Sequence, residues 1–91
     1  MNPTELTTAL ASVPDWRSDG TRIAREFRFP DFEATMTFVN AVADIARRQD
    51  HHPDLEVGYA RVLVTYTSHD VGGLSARDFA AARAVDSLPH P

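Results

Sequence analysis

Cysteine is absent from the 91-residue sequence. This absence excludes disulfide bonds, thiolate metal sites and cysteine nucleophiles, and it fits a reducing cytosol, where disulfides are rare. Long apolar runs are also absent, and the first residues have neither the basic nor the apolar segment of a secretory signal. The sequence therefore predicts a cytoplasmic protein with no membrane contact.

Lysine is missing as well, so all nine basic residues are arginines, and the net charge is −4. An acidic chain is poorly suited to nonspecific nucleic-acid binding, which depends on neutralising phosphates. Arg22, Arg25 and Arg28 lie close together, but Glu26 and Asp31 interrupt them, which favours a solvated strand face over an anion site. No direct nucleic-acid partner is expected.

Glycine is scarce, and the Gly72-Gly73 pair has neither the spacing nor the following lysine of a phosphate-binding loop. What is present is ordinary for a globular protein, with 43% hydrophobic and 24% charged residues. A chain of this length has room for one core only. The sequence predicts a single domain over residues 1–91.

Hydrophobic periodicity predicts seven elements. Helices are predicted for residues 4–11 and 31–49 and for a last segment that Ser75 caps, with Asp78 completing a capping-box pattern. Strands are predicted near residue 16 and over residues 23–29, 55–59 and 62–67. The order α-β-β-α-β-β-α with two hairpins predicts an α+β fold, a four-stranded antiparallel sheet with helices packed on one face.

The long second helix is expected to face the core with one apolar stripe. Three further apolar residues, Phe38, Val42 and Ile45, widen this stripe. In the strand before it, Arg25 is the one residue that breaks the alternation. The predicted stripe consists of Phe32, Met36, Val39, Ala43 and Ala46.

Three histidines are predicted to meet at one edge of the sheet. His51 and His52 follow the long helix, and His69 follows the fourth strand. In a hairpin of strands three and four, the start of one lies beside the end of the other. Histidine titrates near neutrality, so such a cluster suits proton transfer. Three carboxylates close in sequence could orient the rings or hold their protons: Asp50, Asp70 and Asp78.

The residues alone leave three interpretations open. The histidines could be surface or structural groups, with Pro53 serving only to stop the helix. They could bind zinc, although His51 and His52 are adjacent and therefore poor co-ligands. The third interpretation, a metal-free acid/base site, is the one that the pattern favours. A serine or threonine nucleophile is weaker, because nothing resembles a nucleophile elbow.

Several short segments keep a characteristic order and spacing along nearly the whole chain. They are Trp16, Phe27-Arg28-Phe29, Phe32, Asp50-His51-His52-Pro53-Asp54, Tyr59, Thr67-Ser68-His69-Asp70, Gly73-Leu74-Ser75 and Asp78. Together they resemble the pterin-4a-carbinolamine dehydratase family. The resemblance implies loss of water from a 4a-hydroxytetrahydropterin to give the quinonoid dihydropterin, a step in recycling the cofactor of aromatic amino-acid hydroxylases. It implies a pterin substrate and neither a cofactor nor a metal.

The resemblance also implies roles for individual residues. His51 and His69 would carry the acid and base steps in an order that stays open, and His52 would bind or orient the pterin. Because family members form dimers or tetramers, a homodimer or homotetramer is implied. The implied pterin contacts are Asp50, His51, His52, Thr67, Ser68, His69, Asp70 and Asp78.

One position departs from the family pattern. The family usually has an acidic residue four positions before the first histidine, and here that residue is Arg47. Residues at this spacing share a helix face, so Arg47 is expected to replace a carboxylate partner of His51 and to disfavour its protonated form, unless Asp50 or Asp70 compensates. A second function therefore stays open, since relatives serve as non-catalytic dimerisation partners of a transcription factor or as RuBisCO assembly factors.

Overall fold

A computed structural model describes all residues from 1 to 91. The predicted α-β-β-α-β-β-α order is confirmed, although Tyr59 lies outside the third strand, in the connection to the fourth. None of the helices has the length and apolar character that crossing a membrane requires. The elements are α1 (Pro3–Ala11), β1 (Arg17–Ser18), β2 (Ile23–Arg28), α2 (Phe32–Gln49), β3 (Asp54–Val57), β4 (Arg61–Tyr66) and α3 (Ala76–Asp86), with a 3-10 turn at His69–Val71.

The four strands form one antiparallel sheet in the order β1-β2-β4-β3. The predicted hairpin of β3 and β4 is present, with Leu55 opposite Val64. The helices cover one face of the sheet, so the predicted α+β architecture is confirmed. The core between the two layers contains Ile23, Phe27, Val62, Val64 and Tyr66 from the strands and Phe38, Val42, Ile45, Phe79, Ala82 and Val85 from the helices.

Both ends of α2 are defined by local hydrogen bonds. Asp31 precedes the helix, and its carboxylate accepts from the Ala34 N–H at 2.8 Å, as expected of an N-cap. At the other end, Asp50 has a φ of 49° in the left-handed region. The N–H of His51 then bonds back to the Ala46 carbonyl at 3.1 Å, which closes the helix. This turn sends the chain from α2 back toward the sheet.

The predicted core face of α2 is confirmed for the three residues that widen the stripe, Phe38, Val42 and Ile45, but is wrong for most of the stripe itself. Of that stripe only Ala46 is buried, and Phe32 is 44% exposed. The helix has two apolar stripes side by side, and the one that contains Phe38, Val42 and Ile45 is buried. On this side a hydrogen bond from the Thr35 hydroxyl to the Tyr59 carbonyl, at 2.9 Å, ties α2 to the connection between β3 and β4. The buried residues of α2 are Thr35, Phe38, Val42, Ile45 and Ala46.

The homodimer or homotetramer that the resemblance implies stays a prediction.

The prediction of a solvated arginine face is wrong for Arg25. Strand alternation places residue 25 on the same side as Ile23 and Phe27, which is the core side. The Arg25 guanidinium lies 4.5 Å from the centroid of the Phe27 ring and donates to Asp86 at 2.8 Å. A cation that is largely removed from water needs such partners, so the residue that breaks the pattern is a half-buried, paired arginine at the edge of the core. Arg22 and Arg28 are exposed, as predicted.

Candidate active site

A fully buried carboxylate, Asp78, forms the centre of the candidate site. Its Oδ1 lies 2.6 Å from Nε2 of His51. Its Oδ2 accepts from the Ser68 hydroxyl at 2.8 Å and from the Ser75 N–H at 2.9 Å. Buried polar groups need hydrogen-bond partners, and Asp78 has three. Three of the residues singled out from the sequence, His51, Ser68 and Asp78, are therefore in direct contact.

Four elements deliver these groups to one place. Asp78 lies in the first turn of α3, where the predicted capping-box pattern places its carboxylate on the Ser75 N–H. Ser68 follows β4, and its hydroxyl also lies 2.7 Å from that of Ser75. His51 arrives from the left-handed turn after α2, just before β3. Since β3 and β4 are paired, the start of one and the end of the other are neighbours.

The hydrogen bonds of Asp78 assign the tautomer of His51. An ionised carboxylate has acceptors only, so opposite Asp78 the Nε2 of the imidazole carries the hydrogen and donates it. Nδ1 has no hydrogen-bond partner in the chain, so it is the ring nitrogen left for proton exchange. The ring is only 8% exposed and lines a crevice of about 220 Å³ with Gln49, Arg77 and Ala80.

Tyr66 lies against the same histidine. Its ring and the His51 imidazole are stacked, with centroids 5.7 Å apart and planes inclined by 16°. The phenol is fully buried, and its hydroxyl has no hydrogen-bond partner. Burial first, and then the charge of Asp78, raise the pKa of Tyr66 to about 12. Sequence reasoning missed this residue, although the alternation of β4 placed it on the core side next to the predicted cluster.

His69 begins the 3-10 turn after β4 and is exposed. The turn is held to the start of α3 by Asp70, which accepts from the Arg77 guanidinium at 2.6 Å. This hydrogen bond lowers the pKa of Asp70 below its usual value. The backbones of Ser68 and Gly73 also form an antiparallel bridge across the turn. His69 therefore follows Ser68, a hydrogen-bond donor to Asp78, and lies on a turn that is anchored to α3.

Other predicted site residues are not brought to Asp78. His52 is exposed and lines a separate crevice of about 230 Å³. The Asp50 side chain is exposed. Thr67 donates its hydroxyl to the Thr21 carbonyl at 2.7 Å, which ties β4 to the turn after β1. The convergence of all three histidines on one ligand therefore stays a prediction.

The expected contact between Arg47 and His51 is wrong. Arg47 pairs instead with Asp44 at 2.8 Å, and it lines the crevice of His52. The expectation applied helical spacing to residue 51, which lies beyond the end of α2 at Gln49, and the left-handed turn at Asp50 redirects the side chain that follows. The carboxylate partner of His51 is supplied by α3, from a position 27 residues away.

Two other features bear on where chemistry can occur. Nowhere in the chain do three or more His, Asp or Glu side chains cluster closely enough to hold a metal ion. The largest cavity, of about 470 Å³, lies between the start of α2 and the C-terminal tail. Its only titratable lining residue is His90. No Asp or Glu lines this cavity to orient His90, whereas His51 is paired with Asp78.

The chain is similar to known proteins over almost its full length. The sequence model described as pterin 4 alpha carbinolamine dehydratase matches residues 1–88. A protein of Xanthomonas campestris pv. campestris (strain 8004) is 53% identical over 85 residues, which are 91% of this chain and 72% of that protein. A protein of Nitrosospira multiformis is 46% identical over 84 residues, 92% of this chain and 74% of its own. Both carry the provisional name pterin-4-alpha-carbinolamine dehydratase.

Two solved structures have the same fold. A crystal structure from Brucella melitensis, described as a transcriptional coactivator/pterin dehydratase, superposes with a TM-score of 0.88 at 32% identity, covering 96% of this chain and 95% of the other. A pterin dehydratase-like protein, identified as a RuBisCO assembly factor in the alpha-carboxysome, gives a TM-score of 0.66 at 20% identity. That match covers 79% of this chain and 83% of the other, and it shows the fold alone.

Proposed function

Because the chain belongs to the pterin 4 alpha carbinolamine dehydratase family, we propose that it dehydrates a 4a-hydroxytetrahydropterin to the quinonoid dihydropterin. In this reaction the bond between C4a and the hydroxyl oxygen breaks, a proton leaves N5, and a double bond forms between C4a and N5. The departing hydroxyl takes up a proton and leaves as water. The chemistry therefore needs one acid and one base, and it needs neither a redox cofactor nor a metal.

The pairing of His51 with Asp78 is the observation that carries this proposal. Asp78 holds Nε2 in place, which leaves Nδ1 to accept or donate a proton at the crevice. A carboxylate that orients a histidine in this way also stabilises the imidazolium that forms when the ring takes up a proton. His69 is adjacent in sequence to Ser68, which donates a hydrogen bond to Asp78. It supplies the second proton transfer in the proposed mechanism.

The remaining predicted residues are proposed to bind the pterin. His52 orients the ring system, and strand-end groups near Thr67 and Asp70 pair with its amide-like edge. Asp50 completes the set on the other side of His51. These roles are assigned from the family resemblance, and the left-handed turn at Asp50 and the anchored turn at Asp70 are consistent with them.

The direct test is the dehydration of enzymatically generated 4a-hydroxytetrahydropterin, followed by absorbance. We expect His51→Ala and His69→Ala each to lower kcat by about 10²–10⁴-fold, the usual contribution of general acid/base catalysis. Treatment with a chelator should leave the rate unchanged. His90→Ala is the matched control, since His90 packs edge-on against Phe27, outside the candidate site.

The same assay separates the enzyme from a binding protein of the same fold. A wild-type protein no faster than the uncatalysed reaction would reject the dehydratase proposal and favour a non-catalytic role. Equal losses in the His90→Ala and His51→Ala variants would show that the losses come from folding. Loss of activity with a chelator would instead point to a metal-dependent mechanism.

A further inference from the structure

The proposed mechanism uses His51 and Asp78 but assigns no role to Tyr66, the aromatic residue stacked on His51. Tyr66 is fully buried, and its hydroxyl is the only buried side-chain polar atom without a hydrogen-bond partner. An unsatisfied buried hydroxyl lowers stability relative to a phenyl ring of the same shape. The hydroxyl therefore offers no stabilising reason for a tyrosine here, and the ring is the part with a visible contact.

The hydrogen bond to Asp78 does not by itself fix the His51 ring. A single bond at Nε2 permits rotation of the ring about that contact, and the outer torsion of a histidine side chain is intrinsically broad. A neighbouring aromatic face restricts this rotation, because offset stacking at centroid distances of 4.5–7 Å is a favoured arrangement. The 5.7 Å separation and 16° inclination of Tyr66 and His51 fall in that range.

We propose that Tyr66 is a positioning residue for His51, resting on the proposed dehydratase function. Its ring holds the plane of the imidazole so that Nε2 stays on Asp78 and Nδ1 stays without a hydrogen-bond partner in the chain, in a ring that lines the crevice with Gln49 and Arg77. Trp16, whose centroid lies 6.0 Å from that of Tyr66, supports the ring from within the core. The substrate does not contact Tyr66, since the side chain has no exposed surface.

The test compares the imidazole nitrogens of His51 in the full chain by ¹⁵N NMR, together with kcat and KM. In Tyr66→Leu, which removes the stacked ring, we expect the single Nε2–H tautomer to give way to a mixture. The kcat value should fall about tenfold, as for other residues that orient a reacting group, with KM unchanged. Tyr66→Phe keeps the ring and should restore the wild-type nitrogen signals and kcat, and it should raise the melting temperature.

Phe27→Leu is the matched control. Phe27 is a core aromatic that contacts Trp16 and Phe38, not His51, and its loss removes a similar volume from the core. The proposal is overturned if Phe27→Leu changes the His51 nitrogens as Tyr66→Leu does, or if Tyr66→Phe fails to restore them. Because the NMR comparison needs no turnover, it decides the role of Tyr66 even if the wild-type chain proves to have no dehydratase activity.

Discussion

Helix α3 carries a carboxylate near each end, and each gathers donors from distant parts of the chain. At the start of the helix, the Asp78 carboxylate forms hydrogen bonds with the His51 ring, the Ser68 hydroxyl and the Ser75 N–H. It is fully buried. Its position in the first helical turn is also favourable, because the helix dipole stabilises negative charge there.

At the other end of α3, Asp86 accepts from the Trp16 indole and the Arg25 guanidinium, both at 2.8 Å. Its side chain is 26% exposed. The helix dipole opposes a negative charge at this end, so the arginine and the indole provide the compensation. These contacts tie the residue before β1 and strand β2 to α3, across 70 and 61 residues of sequence.

The difference between the two ends lies in the partner. An indole N–H and a guanidinium are donors only, whereas an imidazole can both give and take a proton near neutral pH. The Asp86 end can therefore stabilise the fold, and the Asp78 end can in addition orient a reacting group. A carboxylate on this helix indicates a reactive site only when its partner can exchange a proton.

The largest effect should come from replacing each carboxylate by its amide. In Asp78→Asn, the Ser75 N–H or the His51 N–H loses its acceptor, and the tautomer of His51 is no longer fixed. We expect kcat to fall by at least about a hundredfold, as when the orienting aspartate of a catalytic triad is replaced. Unfolding free energy should drop by about 3 kcal/mol, since one partner of a buried pair is removed.

Asp86→Asn is the matched variant. It should lower the unfolding free energy by about 1–2 kcal/mol, the usual net value of hydrogen bonds to a partly exposed charged group. Its kcat should equal that of the wild type. Urea unfolding and the dehydration assay at a temperature where all three proteins are folded measure both quantities. An equal loss of kcat in Asp78→Asn and Asp86→Asn would contradict the view that only Asp78 orients a reacting group.

A smaller difference between the two ends is expected in how the unfolding free energy depends on pH. At alkaline pH Tyr66, which lies at the Asp78 end, ionises. Its pKa is raised from 10.0 to about 12, so the folded state holds the phenolic proton more tightly than the unfolded state. Below pH 10 the phenol is protonated in both states, so it causes no change of the unfolding free energy with pH. As the pH rises from 10 toward about 12 the unfolded state releases the proton first, and the unfolding free energy falls. The Asp86 cluster contains no phenol and should not contribute to this loss.

Urea unfolding across this pH range, in wild type and Tyr66→Phe, measures the contribution. The wild type should lose stability with rising pH relative to the variant. The chain has only two tyrosines, so the absorbance of tyrosinate in Tyr59→Phe reports on Tyr66 alone. Parallel stability curves for the two proteins would contradict the assigned cause.

The backbone around the Asp78 end was predictable from the sequence, because its determinants are local. The Asp50-His51-His52-Pro53 segment marks the end of a helix. The backbone pairing of the hairpin that follows is enough to bring Ser68 near His51. The capping-box pattern at Ser75 likewise follows from spacing alone. Element order, the two hairpin pairings and the contact between these segments therefore follow from the sequence, whereas the pairing of β2 with β4 does not.

Side-chain partners were not predictable in the same way. The pairs that hold Asp86 join residues far apart in sequence, and Arg25 was assigned to a solvated face because no local pattern reveals its partner. Helical spacing linked Arg47 to His51, but one left-handed residue, Asp50, made that spacing irrelevant. Local periodicity predicts which face a residue occupies, and only tertiary packing decides which group it meets.

The smallest effect is expected for Arg47, which is close to His51 in sequence but is paired elsewhere in space. The residue is exposed and pairs with Asp44. Arg47→Glu, which introduces the acidic type usual in the family, should therefore leave the His51 nitrogen signals and kcat unchanged, with any effect confined to KM through the crevice of His52. Arg48→Glu, the same charge change on the neighbouring exposed residue, is the control. A change in kcat or in the His51 signals for Arg47→Glu alone would mean that this arginine reaches the reactive end after all, and that burial against α3 does not isolate His51 from the surface charges of α2.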